Sequence, residues 1–461
     1  MTLALHDPPA DAPAAGPATP RTPDTKQLAA ARRVIRHLRD TVNAPFSVEL
    51  WDGSREPLGD AVHPDLRVRL AGPGVIGALL RKPSLEHAVR LYATGRIGFR
   101  GGSLVDFGDL ARVPGSTKKL KGLSKTLLAK NALPFLFSTE KGDAQHDYRG
   151  ADDTGRDAGK RDNGDYIRFH YDLGNDFYEL FLDPRMQYSC GYFTDWTNTL
   201  EQAQHDKLDM ICRKLRLQPG EDMLDIGFGW GGLAVHAAQN YGVNVHGVTL
   251  SEEQYAYTVE KVKRLGLEDR ITLEIKDYND LTGTYDKVSS IGMYEHVGVA
   301  NIPGYFRTIY GLLRDRGVLL NHGITRRSKG DAKAFARMRP EHKVIAKYIF
   351  PGGELDHIGN TVQALEARRF EVHDVENWRE HYALTTRKWA ERLAARKDEA
   401  LAMVGPERYR LWEAYLAGVS FAFADGSLRI YQVVATKHSA KGSAKMPPTR
   451  ADLYEERRKA A

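Results

Sequence analysis

Leu224-Asp225-Ile226-Gly227-Phe228-Gly229-Trp230-Gly231-Gly232 is an apolar run that empties into a glycine-rich turn, and residues 233–241 behind it carry helical periodicity. Glycines let a backbone approach a ligand closely, and the N-terminus of the following helix offers unpaired N–H groups to polar or negative atoms. The spacing satisfies G-x-G-x-x-G, which taken alone also suits a dinucleotide. Two features turn the reading away from nicotinamide. Asp225 precedes the first glycine, and the next apolar run ends in Thr249-Leu250-Ser251, where a dinucleotide site places an acid for the ribose. A third run closes in Lys276-Asp277-Tyr278, with Asp277 placed to accept a hydrogen bond from an adenine amino group. The set fits S-adenosylmethionine better. The plain alternative is a glycine turn that serves only packing.

Elements of one kind must position these groups. Strand-like runs at 222–226, 244–249, 271–276, 287–291 and 317–321, alternating with helical stretches, predict a doubly wound, Rossmann-like α/β sheet, with a late strand at 429–436. Ligands of such sheets bind beyond the carboxyl ends of the strands. Ahead of it, helical text at 28–42, strand-like text at 46–51 and 66–70, and further helical stretches to about 107 predict a smaller α+β domain over 27–138. Residues 1–26 read as a disordered tail, the Gly/Asp-rich 139–165 as a linker, 166–436 as the main domain, and 437–461 as a mobile tail.

Composition narrows the classes. The chain has 461 residues, 42% of them apolar, and 66 basic against 60 acidic side chains, so the net +6 is too thin for a nucleic-acid-coating protein. Cys190 and Cys212 make no disulfide framework, and the absence of a secretory leader or an 18-residue apolar run predicts a cytoplasmic protein that meets a membrane, if at all, from its surface. Sixteen histidines show no metal-ligand spacing, and no metal is expected.

His170-Tyr171-Asp172-Leu173-Gly174-Asn175-Asp176-Phe177-Tyr178 and Tyr188-Ser189-Cys190-Gly191-Tyr192-Phe193 then identify a family. Together with the glycine turn, Thr249-Leu250-Ser251-Glu252-Glu253-Gln254, Gly292-Met293-Tyr294-Glu295-His296-Val297-Gly298, His322-Gly323-Ile324 and Tyr382, they resemble the cyclopropane fatty acid synthases and mycolic acid methyltransferases over residues 166–436. The resemblance implies a class I methyltransferase fold. It also implies methyl transfer from S-adenosylmethionine to the cis double bond of an unsaturated phospholipid acyl chain, with a bound bicarbonate ion as the base that closes the ring. By the same resemblance Cys190, Glu295, His322, the backbone at Ile324, and Tyr382 hold the anion. Tyr188, Ser189, Thr249, Leu250 and Gln254 match cofactor positions, joining Asp225, Gly227, Gly229, Gly231, Asp277 and Tyr278 of the strand ends. His322 is the expected proton carrier, because imidazole titrates nearest neutrality. Without the motif, Cys190 would read as a small buried hydrophobe, Tyr382 as packing, and Glu295-His296 as a helix-capping pair; His296 is left as structural.

Two positions depart from the family pattern: Phe228 stands where Cys is usual, and Gly323 replaces Thr. They leave open a product branched by methyl or methylene without a ring. Residues 118–130 hold five lysines and no acid, with Leu120, Leu123, Leu127 and Leu128 at near-helical spacing and Leu133-Pro134-Phe135-Leu136-Phe137 after them. This suits either docking on an anionic bilayer, at the inner face of the membrane, or a helix packed on its own domain. Residues 335–350 read as a lid over an acyl chain or as an ordinary amphipathic helix. The resemblance suggests a homodimer. A lipid-binding protein without catalysis and an NAD-linked oxidoreductase are the rival classes.

Overall fold

The computed structural model describes residues 25–111, 123–138, 173–331, 333, 335, 337–350 and 352–455. The expected linker, the lysines before residue 123 and the opening His170-Tyr171-Asp172 lie outside the described residues. Two compact units emerge. One comprises 1–149 with 339–344 and 393–417, the other 150–338, 345–392 and 418–461. The sequence carries no sign that two later stretches return to the N-terminal unit. What ties 393–417 there is a part-buried hydrogen bond from the Tyr92 hydroxyl to Glu413 and one from Arg410 to the carbonyl of Ala93.

In the first unit the helix Thr25–Val42 takes in the last two residues assigned to the tail. Four short strands, β1 (Ser47–Glu49), β2 (Arg55–Pro57), β3 (Arg67–Leu70) and β4 (Ile97–Arg100), form a sheet in the order β2-β1-β3-β4. Leu28, Ala31, Ile35, Val48, Leu50 and Phe135 make its core, so the helix face at i, i+3, i+7 is buried on the sheet.

The second unit is a seven-stranded sheet in the order β10-β11-β9-β8-β5-β6-β7. Its members are β5 (Asp222–Ile226), β6 (Asn244–Thr249), β7 (Ile271–Ile275), β8 (Tyr285–Ile291), β9 (Leu313–Arg326), β10 (Glu371–Asn377) and β11 (Leu428–Thr436). Strands β5 to β9 pair in parallel, while β11 runs antiparallel between β9 and β10. Strand neighbours point to opposite faces, so β5 must be apolar on both. Met223 packs with Leu208, Ile211 and Leu233 of the helices Leu200–Leu215 and Gly232–Tyr241. Leu224 and Ile226 pack with Tyr305, Phe306 and Leu365 on the other face. The chain order reverses between β5 and β8, which opens the crevice beyond their carboxyl ends.

The expected mobile C-terminal tail is a correction as far as Glu455. Leu453 is buried, Arg213 donates to the carbonyls of Leu453 and Glu455, and Arg216 pairs with Asp452. The apolar leucine and two guanidinium anchors outweigh the polar composition that suggested a loose end.

Candidate active site

The glycine turn floors a cleft with about 990 Å³ of free space, part of it open to solvent. Strand ends and their following loops supply its walls: Asp225, Gly227, Phe228 and Gly229 after β5, Thr249, Leu250 and Gln254 after β6, Asp277 and Tyr278 after β7, and Gly292, Met293 and His296 after β8. Tyr188 and Ser189 close it from the N-terminal side. Ten of the eleven sequence-assigned cofactor residues therefore share one cavity.

Gly231 is the exception. It is not part of the lining; it takes φ +71° at the start of the helix Gly232–Tyr241, and a Cβ there would overlap the Thr258 side chain. Its value is close packing of helix on helix. Asp225 is buried and accepts a hydrogen bond from Ser289 Oγ at 2.7 Å; burial pushes its pKa up to about 6, against the lowering by that bond and by Lys207. Asp277 Oδ1 accepts from the backbone and side-chain nitrogens of Asn279, both at 2.9 Å, which fixes the carboxylate at the end of β7.

The two departures are steric accommodations. The Phe228 ring fills the space over Gly247 of β6, where a Cβ would come within 2.8 Å of it. At Gly323 a Cβ would stand 2.9 Å from Tyr294 Cβ and 3.0 Å from its ring, so threonine does not fit beside this tyrosine. The Tyr294 hydroxyl is itself fixed to Thr361 Oγ1 at 2.8 Å.

Glu295, just beyond β8, reaches Ile324 near the end of β9, and His322 stands two residues before it; none of the three lines the glycine-turn cleft. The Glu295 carboxylate accepts from the Ile324 N–H at 2.6 Å through Oε1, while Oε2 is buried without a partner. The resemblance assigned the Ile324 backbone to an anion, but its donor is spent on aiming Glu295. Burial raises the Glu295 pKa to about 7, opposed by that hydrogen bond. His322 lies fully buried, its Nδ1 2.9 Å from the Gln432 amide nitrogen of β11, which leaves the ring proton on Nε2, also buried and unpartnered. Burial, with the ammonium groups of Lys207 and Lys214, holds its pKa well below the usual value. Desolvation thus favours the neutral imidazole in this state and opposes the titration on which its expected role as a proton carrier rests.

Cys190 is buried with its Sγ 3.7 Å from the carbonyl of Trp378, whose ring stands edge-on to His322 with centroids 5.4 Å apart. Burial raises the thiol pKa, so it is neutral. Tyr382 lies one helical turn beyond Trp378, donating its N–H to the same carbonyl, with its ring against Phe423 at 4.5 Å and Trp389 at 5.9 Å. Of the expected lid, Phe350 stacks on Tyr188 and packs against His296, two pocket-lining residues.

Sequence reading missed Lys207, Gln187, Trp230 and Met293, which line the cleft, and left His296 as structural although it lines it too. Trp378, whose buried Nε1 has no partner, was also missed. Among the described residues no His/Cys/Asp/Glu cluster is arranged to hold a metal, and no helix is long and apolar enough to cross a membrane.

The family model described as mycolic acid cyclopropane synthetase matches residues 159–433. A probable fatty acid methyltransferase of Pseudomonas putida is 39% identical over 416 residues, covering 90% of this chain and 97% of its own. The cyclopropane-fatty-acyl-phospholipid synthase of Escherichia coli K12 is 40% identical over 273 residues, or 59% of this chain and 68% of that one. Among solved structures, the cyclopropane synthase MmaA2 from Mycobacterium tuberculosis superposes with a TM-score of 0.57 at 33% identity, over 59% of this chain and 98% of that one. The mycolic acid cyclopropane synthase CmaA1 complexed with SAH and CTAB gives 0.56 at 34% over the same shares. With a class I S-adenosylmethionine-dependent methyltransferase fold, the chain belongs to the mycolic acid cyclopropane synthetase family.

Proposed function

We propose that the protein transfers the methyl carbon of S-adenosylmethionine to the cis double bond of unsaturated phospholipid acyl chains and closes a cyclopropane ring. One observation carries the reading: a buried acceptor, Glu295 Oε2, just beyond β8, and a buried donor, His322 Nε2, on the adjacent strand β9, are both unpartnered. Tyr188, Ser189, Thr249, Leu250, Gln254, Asp277 and Tyr278 would hold the cofactor, which supplies an electrophilic sulfonium methyl. Bicarbonate fits the orphaned pair, since its hydroxyl needs an acceptor and its charge a donor; bound there it would supply the base.

The chain's own residues do the remaining work. An alkene is a weak nucleophile, so its π pair must be aligned with the methyl carbon, and the resulting cation must be kept from water until it loses a proton of the added methyl. Tyr188, Phe350, Trp378 and Trp389 form the aromatic surroundings that exclude water, while the Ile324 N–H keeps Glu295 aimed. Fatty-acid methyl ester analysis of cells expressing the chain tests the reading: cyclopropane esters that disappear with Glu295→Gln support it, and unchanged esters refute it. The Pseudomonas relative that matches 90% of the chain is named as a fatty acid methyltransferase, which favours methyl- or methylene-branched chains as the second reading; the same chromatogram separates ring from branch.

We further infer a homodimer that works from the inner face of the cytoplasmic membrane. In the first unit Leu133, Leu136 and Phe137 are exposed, Phe137 almost completely, and Lys130 and Arg81 lie nearby, Arg81 donating to the Leu136 carbonyl. Such a basic and apolar edge suits anionic lipid. Flotation with anionic liposomes is expected to be lost in Phe137→Asp, and binding unchanged in that variant refutes the docking site; light scattering reads the oligomer.

A further inference from the structure

Lys207 stands on the helix Leu200–Leu215 in the wall of the cofactor cleft, and its side chain is buried to 1% exposure. Its Nζ donates to Gln187 Oε1 at 2.5 Å and to Ser189 Oγ at 3.0 Å. The third N–H has no acceptor among the described residues. Both acceptors are neutral. Asp183 and Asp225 are near enough to stabilise the charge but do not touch it. Asp183 accepts from the backbones of Arg185 and Gln187, and Asp225 from Ser289. A buried ammonium without a contacting carboxylate is costly, and an apolar residue of the same size would serve packing better. The chain therefore carries at the cleft a positive charge that no carboxylate of its own contacts.

The other lysine of the lining does not share this position. Lys276 is more than a third exposed and already pairs with Glu274 at 3.2 Å. His296 is neutral, since burial pushes its pKa down to about 4. S-adenosylmethionine brings three charges: a sulfonium and an ammonium, both positive, and one α-carboxylate. Only the carboxylate is attracted to Lys207. Ser189 completes the fit, because its oxygen accepts from Lys207 and its own hydroxyl proton is left to donate. Gln187 keeps the arrangement rigid: its amide nitrogen donates to the Arg185 carbonyl at 3.2 Å and lies where a Cβ on Gly232 would stand.

We infer that Lys207 is the counter-ion of the cofactor's α-carboxylate, holding it directly through the third N–H and presenting the Ser189 hydroxyl to it. The inference rests on the proposed S-adenosylmethionine site and adds to it the residue that orients the amino-acid end. Neutralising Lys207 on binding also removes a bare cation from the neighbourhood of the sulfonium and of the cation formed on the lipid.

Calorimetric titration of the full chain with S-adenosylmethionine and with decarboxylated S-adenosylmethionine tests it, since the two ligands differ only in the carboxylate. The wild type is expected to prefer S-adenosylmethionine by about tenfold or more. Lys207→Met is expected to weaken that ligand by a similar factor and to leave the decarboxylated ligand as tight or tighter, so that the preference collapses. Ser189→Ala shrinks the preference less. A merely structural lysine would weaken both ligands alike. Equal wild-type affinity for the two ligands, or a preference that survives Lys207→Met, overturns the assignment. If Lys207→Met does not fold, the wild-type preference and its reduction in Ser189→Ala decide the question. Failure of the wild type to bind S-adenosylmethionine would instead overturn the cofactor site itself, and this assignment with it.

Discussion

Replacing Glu295 by Gln removes a carboxylate that the fold buries at a cost, and the size of that cost follows from its pKa. Burial raises the group from the ordinary 4.5 to about 7. An acid whose native pKa lies above its unfolded value is no burden below pH 4.5, becomes one as pH rises through the interval, and bears the full penalty above 7. The displacement is worth about 3 kcal/mol at alkaline pH. The amide of the Glu295→Gln variant would keep an oxygen for the Ile324 N–H, so the local hydrogen bond survives the substitution. Urea unfolding of wild type and Glu295→Gln between pH 5 and 8.5 is therefore expected to give curves that nearly coincide at the acid end. They should separate in favour of the variant as pH rises, by a few kcal/mol at pH 8.5. His322 titrates equally in both proteins and cancels from the difference. Turnover moves the other way, falling by about a hundredfold or more because the base has lost its orienting acceptor, while S-adenosylmethionine affinity is retained. A variant less stable than wild type at pH 8.5, or a gap independent of pH, would refute the claim that Glu295 is buried as an uncompensated carboxylate. Added bicarbonate should narrow the gap, since its hydroxyl would stabilise the ionised form.

Three further outcomes are expected. Gly247→Ala should destabilise by about 1–3 kcal/mol through overpacking on Phe228 and Leu273, and Phe228→Cys in the same chain should recover part of the loss, a coupling that thermal unfolding of the four proteins measures. Gly323→Thr should cost a similar amount, because the Tyr294 hydroxyl is tethered to Thr361 and the ring cannot swing clear; unchanged stability would show that the ring gives way freely. Ending the chain after Thr449 removes buried Leu453, two carbonyl acceptors of Arg213 and the Asp452 partner of Arg216, so a loss of about 2 kcal/mol is expected by chemical denaturation, and an unaffected midpoint would mean the segment contributes nothing.

The glycine turn and the strands beside it are legible because their signals are local: a short, mostly apolar strand, a turn, and a periodic helix in consecutive text. Lys207 is not legible. It sits in Glu201-Gln202-Ala203-Gln204-His205-Asp206-Lys207-Leu208, a stretch whose polarity reads as a solvated helix face. Only the packing of that helix under the Tyr188-Ser189 segment makes the lysine internal. Strand β10 escaped for the opposite reason. Glu371-Val372-His373-Asp374-Val375-Glu376-Asn377 is an edge strand with one partner, and its alternation carries acids on the side that answers Lys214 and Arg450. In the first unit the runs at 46–51 and 66–70 cover β1 and β3, whereas β2 and β4, of three and four residues, fall below the length at which alternation is recognisable. The motif at 322–324 located His322 and Ile324, but the division of labour between them and Glu295 required coordinates. No sequence pattern tells that the Ile324 N–H is spent on Glu295, or that Gln432, 110 positions downstream of His322, decides which imidazole nitrogen carries hydrogen.

That last pairing bears on how the molecule comes into being. Every residue lining the cofactor cleft lies between Met186 and His296, whereas Trp378 and Gln432 arrive only when the ribosome has passed most of the gene, and β11 must slide between β9 and β10 to deliver the latter. A nascent polypeptide thus carries every cleft-lining residue well before it carries the partners that fix the imidazole.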